Sequence, residues 1–324
     1  MQRTLSEFIA LIWSKTMTNW TTSNIPSQKG RVAVVTGTAG IGHEVSLELA
    51  KAGAKVIIAG RNVRKGKDAI SKILNLVPSA DVEFEMLDLA DLNSVSNFGR
   101  RLRAQLSSLD LLINNAAIMN PPTRLESLDG YELQFATNYL GHFALTAELL
   151  PLLSKRVGAR VVTLSSIAAR LGQINFDDLQ SELSYKPMKA YSQSKLACLM
   201  FAFELQRRSD ANRWGLTSVA AHPGLSKTDL NASGRRGLRG IFLKAFFLTF
   251  QSAAQGALPV LYAATSSDVS PGFYYGPSGV SELRGCPSPS KSPPAAHDLG
   301  AATRLWRESE LMTKVMFDLQ RTSI

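Results

Sequence analysis

The sequence predicts an α/β protein: one doubly wound, parallel sheet of about seven strands with helices on both faces. Three observations predict it. Short β-branched runs alternate with apolar-periodic helical stretches from residue 31 to residue 221, the pattern that a parallel sheet and its crossovers produce. A glycine turn, Gly37-Thr38-Ala39-Gly40-Ile41-Gly42, directly follows the first run. Polar residues recur at the carboxyl ends of the later runs, which is where open sheets of this kind bind ligands.

The first strand is Val32-Ala33-Val34-Val35-Thr36, and the helix beyond the turn covers residues 43–52. Strand, glycine turn and helix together present free backbone N–H groups and a positive helix end to a phosphate. Glycine is needed there because a Cβ would block close approach of a pyrophosphate. The sheet is therefore expected to be of the Rossmann type. The second strand, Lys55-Val56-Ile57-Ile58-Ala59, ends at Gly60-Arg61-Asn62, where the adenosine ribose of a dinucleotide lies in such sheets. An acidic residue there favours the free 2′-hydroxyl of NAD, whereas this chain has Arg61 with Arg64 and Lys65 nearby. A guanidinium holds a 2′-phosphate by charge-assisted bonds, so NADP is the preferred cofactor and NAD the alternative.

The alternation continues through a strand at 82–87 closed by Asp88-Leu89, a helix at 92–106, and a buried type of strand at 109–113 closed by Asn114-Asn115-Ala116-Ala117. A long helix at 131–153 carries Asn138, and a fifth strand at 160–164 ends in Ser165-Ser166. Tyr191-Ser192-Gln193-Ser194-Lys195 then opens an apolar helix, and a sixth strand at 216–221 ends at His222-Pro223-Gly224. Residues four apart share a helix face. An ammonium held beside a phenol favours the phenolate, and such a tyrosine can exchange protons with an alcohol or a carbonyl.

Composition narrows the class. With 45% hydrophobic and 19% charged residues the chain is globular rather than disordered. The net charge of +10 would fit anionic ligands, nucleic acid or a membrane surface. Its basic residues are scattered, however, in clusters no longer than Arg100-Arg101-Leu102-Arg103 and Arg235-Arg236-Gly237-Leu238-Arg239, which read as solvated faces. No nucleic-acid partner is expected. Cys198 and Cys286 give no disulfide framework, and the four histidines show no metal-ligand spacing. The apolar patches at 8–13 and 241–250 are shorter than the ~20 residues of a membrane span. A cytoplasmic protein with no integral span is expected.

The domain reading is a poorly ordered extension over 1–29, with Met17 as an alternative start, and a dinucleotide-binding catalytic domain over 30–280. That domain includes a substrate lid at about 225–250. A C-terminal loop and helix over 281–324 pack on the same domain. The lid stretch is strongly apolar, with Leu238, Ile241, Phe242, Leu243, Phe246, Phe247 and Phe250. A lipophilic alcohol or carbonyl is the expected substrate, and a packed helix or subunit interface is the competing use of those side chains.

Taken together, Thr36-Gly37, Gly40-Ile41-Gly42, Asn114-Asn115-Ala116-Ala117, Asn138, Ser166, Tyr191 with Lys195, and Pro223-Gly224 resemble the short-chain dehydrogenase/reductase family over residues 30–280. The Arg61-Asn62 turn and Phe176-Asp177-Asp178-Leu179 resemble its retinol dehydrogenases and uncharacterised bacterial members most. The resemblance implies that Tyr191 is the general acid or base, that Ser166 hydrogen-bonds the reacting oxygen, and that Lys195 assists Tyr191 and bonds the nicotinamide ribose. It implies that Asn138 holds a water linking Lys195 to solvent. For the cofactor it implies the turn Gly37, Thr38, Gly40, Ile41 and Gly42 at the pyrophosphate, Arg61 at the adenosine phosphate, and Asp88 and Leu89 at adenine. Asn115 and Ala116 would lie at the ribose, and Pro223 and Thr228 around nicotinamide. The competing readings are a helix N-cap for Asp88, capped strand ends for Asn114 and Asn115, and backbone bonding for Asn138. A homodimer or homotetramer is also implied.

One departure from the family pattern bears on function. The usual turn, Thr-Gly-x-x-x-Gly-x-Gly, is one residue shorter here between Gly37 and Gly40. The expected function is an NAD(P)-dependent interconversion of an alcohol and a carbonyl. The alternative is a catalytically silent nucleotide-binding or regulatory protein on the same fold.

Overall fold

The structure is a computed structural model that describes residues 20–226 and 250–319. Its centre is an eight-stranded sheet in the order β3-β2-β1-β4-β5-β6-β7-β8. The strands are β1 (Val32–Thr36), β2 (Lys55–Gly60), β3 (Val82–Met86), β4 (Leu111–Asn114), β5 (Arg160–Leu164), β6 (Thr217–Ala221), β7 (Tyr274–Pro277) and β8 (Pro287–Pro289). All neighbours pair in parallel except β7 and β8. Chain direction across the sheet reverses between β1 and β4, so a crevice opens beyond their carboxyl ends.

Alternation of side chains explains why these runs are apolar throughout. In β1, Val34 joins one core layer and Ala33 and Val35 the other; in β2, Ile57 faces the first and Val56 and Ile58 the second. A strand covered on both faces needs apolar side chains at odd and even positions alike. On the second layer lie α1 (Ile41–Lys51), α2 (Val63–Leu76) and α6 (Ala253–Thr265); on the first lie α3 (Leu92–Gln105), α4 (Gly141–Leu153), α5 (Pro187–Asn212) and α7 (Leu299–Thr313). Side chains fix the helix starts. Asn62 accepts from Lys65 N–H, Asp91 from Asn93 and Ser94 N–H, Ser252 from Gln255 N–H, and Asp298 from Ala301 N–H. Asp91 therefore takes the cap that the sequence offered to Asp88.

Three elements differ from expectation. The long helix at 131–153 is broken: a single turn, Leu133–Phe135, and a π-helical turn, Ala136–Leu140, precede α4. The π-turn is where Asn138 turns its amide to the Ile118 backbone and its carbonyl to two donors. The C-terminal stretch expected as a loop contains β8, an edge strand, which pairs on one side only and so accommodates prolines. The expected N-terminal extension is packed from residue 20 onward: Trp20 is buried edge-on against Tyr262 of α6. Most of the expected lid, residues 227–249, lies outside the described residues, and so does Thr228. Among the described residues no helix is long and apolar enough to cross a membrane.

Candidate active site

Two cavities meet at the carboxyl end of the sheet. The first, of about 500 Å³, is lined by the glycine turn, the ends of β2 and β3, and the segment after β4. The second, of about 590 Å³, is lined by the ends of β5 and β6, the start of α5 and the segment near residue 281. Ile41, Asn115 and Ala117 line both. The two cavities are therefore neighbours along the same rim of the sheet.

The first cavity is shaped for backbone contact. A Cβ on Gly42 would sit 2.5 Å from Asn115 Nδ2 and 2.6 Å from the Gly37 carbonyl oxygen; one on Gly37 would sit 2.7 Å from the same Asn115 nitrogen. Gly37 and Gly40 also hold φ of 103° and 56°, values open to glycine. The turn is thus packed from beneath by Asn115, whose Nδ2 donates to Thr36 O at 2.6 Å. Its upper side is left to the cavity, together with the first N–H groups of α1, which have no partner within the helix. Gly37, Thr38, Gly40, Ile41, Arg61, Asp88, Leu89, Asn115 and Ala116 all line this cavity. Gly42 lies behind it. Thr137 Oγ1, buried on the wall, has no partner among the described residues. A glycine cradle at a helix N-terminus, an orphan hydroxyl and an exposed Arg61 at the far end fit a dinucleotide.

Asp88 Oδ1 accepts from Ala90 N–H at 3.0 Å, and Asp88 N–H donates to Ser94 Oγ at 2.9 Å, which fixes the turn after β3. Leu89 is buried beside Gly141, where a Cβ would meet the Leu89 carbonyl at 2.3 Å. Asn115 caps the end of β1 by donating to Thr36 O, whereas Asn114 ties β4 to α4 by donating to Thr146 Oγ1.

In the second cavity Ser165, Ser166, Tyr191, Lys195 and Pro223 come together. Ser166 caps the short helix Ile167–Leu171 by accepting from Ala168 N–H at 3.2 Å. Ser165 turns inward and donates to Lys195 O at 2.7 Å, so the serine left with its hydroxyl on the cavity side is Ser166. Lys195 is only 3% exposed and donates to Leu164 O at 3.0 Å; an ammonium has two further N–H bonds to give. Pro223 O is held by Ser226 and Gln251. Asn138 lies behind the cavity, its Oδ1 accepting from Ile118 N–H at 2.8 Å and its Nδ2 donating to Ile118 O and Ser194 Oγ.

Sequence reasoning missed a buried chain that joins the two cavities. Thr36 Oγ1 accepts from Asn115 and Ala116 N–H, each at 2.9 Å, which leaves its proton to point at His142 Nε2 at 2.9 Å, the nearer acceptor, with Ile113 O at 3.3 Å as the other. His142 Nδ1 lies 3.0 Å from Asn138 O, a carbonyl that can only accept. The ring is therefore neutral with its proton on Nδ1. Burial, opposed by the Asn138 bond and aided by the Lys195 charge, lowers its pKa to about 4. The i, i+4 spacing of Asn138 and His142 was the available signal.

A model of the short chain dehydrogenase family matches residues 31–238. Mouse polyprenol dehydrogenase is 40% identical over 250 residues, covering 76% of this chain and 74% of that one. Mouse retinol dehydrogenase 12 is 41% identical over 243 residues, covering 75% of each. A crystal structure of an uncharacterized protein from Mycobacterium Paratuberculosis is 40% identical, with a TM-score of 0.77 over 93% of this chain and all of that one. A Beutenbergia cavernae protein described as an NAD(P) dependent gluconate 5-dehydrogenase with bound NADP is 25% identical, with a TM-score of 0.59 over 74% of this chain and 92% of that one. The chain belongs to the short-chain dehydrogenase/reductase family and is an oxidoreductase acting on alcohol and carbonyl substrates.

Proposed function

We propose that this protein reduces or forms a lipophilic carbonyl with NADP, Tyr191 exchanging the proton. The observation that carries this reading is the convergence of Ser166, Tyr191 and Lys195 on a cavity that shares Ile41, Asn115 and Ala117 with the glycine-turn cavity. The bound nicotinamide supplies or accepts the hydride. In reduction the Tyr191 hydroxyl donates its proton to the carbonyl oxygen, and in oxidation its phenolate takes one from the alcohol. Ser166 Oγ–H donates to the same oxygen and stabilises its developing charge. Lys195, fixed by Leu164 O one helical turn beyond Tyr191, would bond the nicotinamide ribose with its remaining N–H groups. Asn138 braces the Ile118 segment and Ser194, the residue before Lys195. A water relay at its carbonyl would share that oxygen with His142 and Cys198.

Arg61 and Lys65 support NADP: both are exposed, both line the cavity, and neither has an ion-pair partner among the described residues. The NADP reported for the Beutenbergia cavernae neighbour agrees. Ile167, Leu171, Met188, Leu225, Phe250 and Leu283 give the second cavity its apolar wall, which suits a lipophilic substrate, as do the names of the polyprenol and retinol relatives. Residues 30–280 form the catalytic unit in this reading, and 281–324 complete it through Ser281, Leu283 and α7. The test is a panel of aliphatic and aromatic aldehydes and ketones assayed with NADPH and NADH. Saturable turnover with NADPH, lost in Tyr191→Phe at nearly unchanged NADPH affinity, is expected. Turnover surviving in that variant would remove Tyr191 as the acid, and absence of NADPH binding at millimolar concentration would favour the silent alternative.

A further inference from the structure

Outside the reacting residues, a dense polar cluster surrounds Glu282. Its Oε2 accepts from Arg170 Nη2, from His222 Nε2 at 3.0 Å and from Ser290 Oγ, and its Oε1 from Lys291 N–H at 3.1 Å. The His222 tautomer follows from its other nitrogen: Nδ1 accepts from Gly224 N–H at 3.2 Å, so the proton sits on Nε2 and is given to Glu282. His222 is fully buried and Glu282 largely so. Burial opposes the Glu282 charge, but the bonds from His222, Ser290 and Lys291 outweigh it and hold the carboxyl at about 2. Ser281 and Glu282 both sit in the left-handed region, at φ 53° and 57°. That conformation is costly for residues with a Cβ, and the four donors to Glu282 offset it.

Arg170 is the partner that matters for chemistry. It lines the second cavity next to Leu171, which is 85% exposed, at the end of the helix that Ser166 caps. Among the described lining residues the charged ones are Arg170 and Lys195, and Lys195 is buried at the reacting end. Everything else described at the opening is apolar or a neutral hydroxyl. A bare guanidinium there would attract carboxylates and phosphates into the site. Glu282 stands behind it with a fixed opposite charge.

We propose that Glu282 is a specificity-determining residue that neutralises Arg170 at the cavity opening, so that neutral carbonyl compounds are accepted over anionic ones of the same shape. This rests on the reading of the second cavity as the substrate site. The chemistry selects against substrates bearing a carboxylate or phosphate near the far end from the carbonyl.

The test compares 4-carboxybenzaldehyde with methyl 4-formylbenzoate, which differ in charge at the far end, using the full-length protein and NADPH. Glu282→Gln keeps an acceptor for His222 and removes the charge. It is expected to raise the anionic-to-neutral ratio of kcat/KM about five- to tenfold, and Glu282→Gln combined with Arg170→Gln should return the ratio to that of the wild type. Arg170→Gln alone, which leaves the Glu282 network its other three donors, should lower the ratio severalfold. A ratio within twofold of wild type in folded Glu282→Gln, or in Arg170→Gln if the first variant does not fold, would overturn the proposal. Equilibrium binding of the two compounds reads the same ratio without turnover. A shifted binding ratio in a protein that turns over neither compound would uphold the charge filter and refute the catalytic reading instead.

Discussion

His142 supplies a prediction that can be worked through in numbers. The ring is 2% exposed and bonded at both nitrogens, to Thr36 and to the Asn138 carbonyl. Its pKa falls from 6.5 to about 4, chiefly through burial. An unfolded chain protonates this imidazole below pH 6.5, while the folded one keeps it neutral until about pH 4. Stability from this group is therefore complete above pH 6.5 and declines as pH falls through that window, because the unfolded state then binds more protons. Each pH unit is worth ~1.4 kcal/mol, so by pH 5 the loss amounts to ~2 kcal/mol. The assay is urea unfolding at pH 7, 6 and 5 for the wild type and for His142→Gln, which cannot titrate. The variant will be less stable at pH 7, and its curve should fall less steeply, closing the gap by ~2 kcal/mol at pH 5. His222, also lowered by burial, titrates in both proteins and cancels in the difference. Parallel loss in the two, with the gap changing by less than ~0.5 kcal/mol, would show that His142 is not buried neutral and would break the proposed link between the cavities.

Other outcomes follow from the same contacts. Gly42→Ala forces a Cβ into Asn115 and the Gly37 carbonyl, and should weaken NADPH binding at least tenfold by isothermal titration while the fold survives. Arg61→Gln should lower the NADPH-to-NADH ratio of kcat/KM about tenfold, since a charge-assisted bond to a phosphate is lost; an unchanged ratio would remove Arg61 from the cofactor site. Trp306, packed against Phe143, Phe201 and Phe317 with Arg208 over its ring, should cost ~3–5 kcal/mol in chemical denaturation when changed to alanine.

The sheet was legible because its strands are covered on both faces, and a run such as Val56-Ile57-Ile58 admits little else. Ser166 and the glycine turn were legible because strand ends mark the ligand side of such a sheet, and Tyr191 and Lys195 because residues four apart share a helix face. What stayed hidden depends on partners far along the chain. Thr36 and His142 are 106 positions apart, and His222 and Glu282 are 60 apart. Asn138 carried helical periodicity on both sides, and the break at its π-turn comes from contacts with Ile118 and Cys198, not from local propensity. Likewise β8 was concealed by its prolines, which an edge strand pairing on one side can accommodate. Nothing in the local sequence singles out Glu282. Only the fold brings Arg170 and His222 to it.

The shortened glycine turn is the feature that most set function in question, and the hydrogen bonds beneath it account for its tolerance. Its shape is held less by its own length than by Asn115, which fills the space under Gly37 and Gly42 and is tied to Thr36. Thr36 in turn anchors Asn115 and Ala116 through its hydroxyl oxygen and passes its proton to His142, which holds the Asn138 carbonyl. Asn138 then reaches Ser194, on the helix that carries Tyr191 and Lys195. Glycine turn and helix α5 are thus tied by one polar chain through the core. Such a chain resists partial rearrangement, since freeing any one buried group leaves its partner unsatisfied. The turn's own length bears on what faces the first cavity, whereas the chain beneath it ties Thr36 to the helix that carries Tyr191 and Lys195.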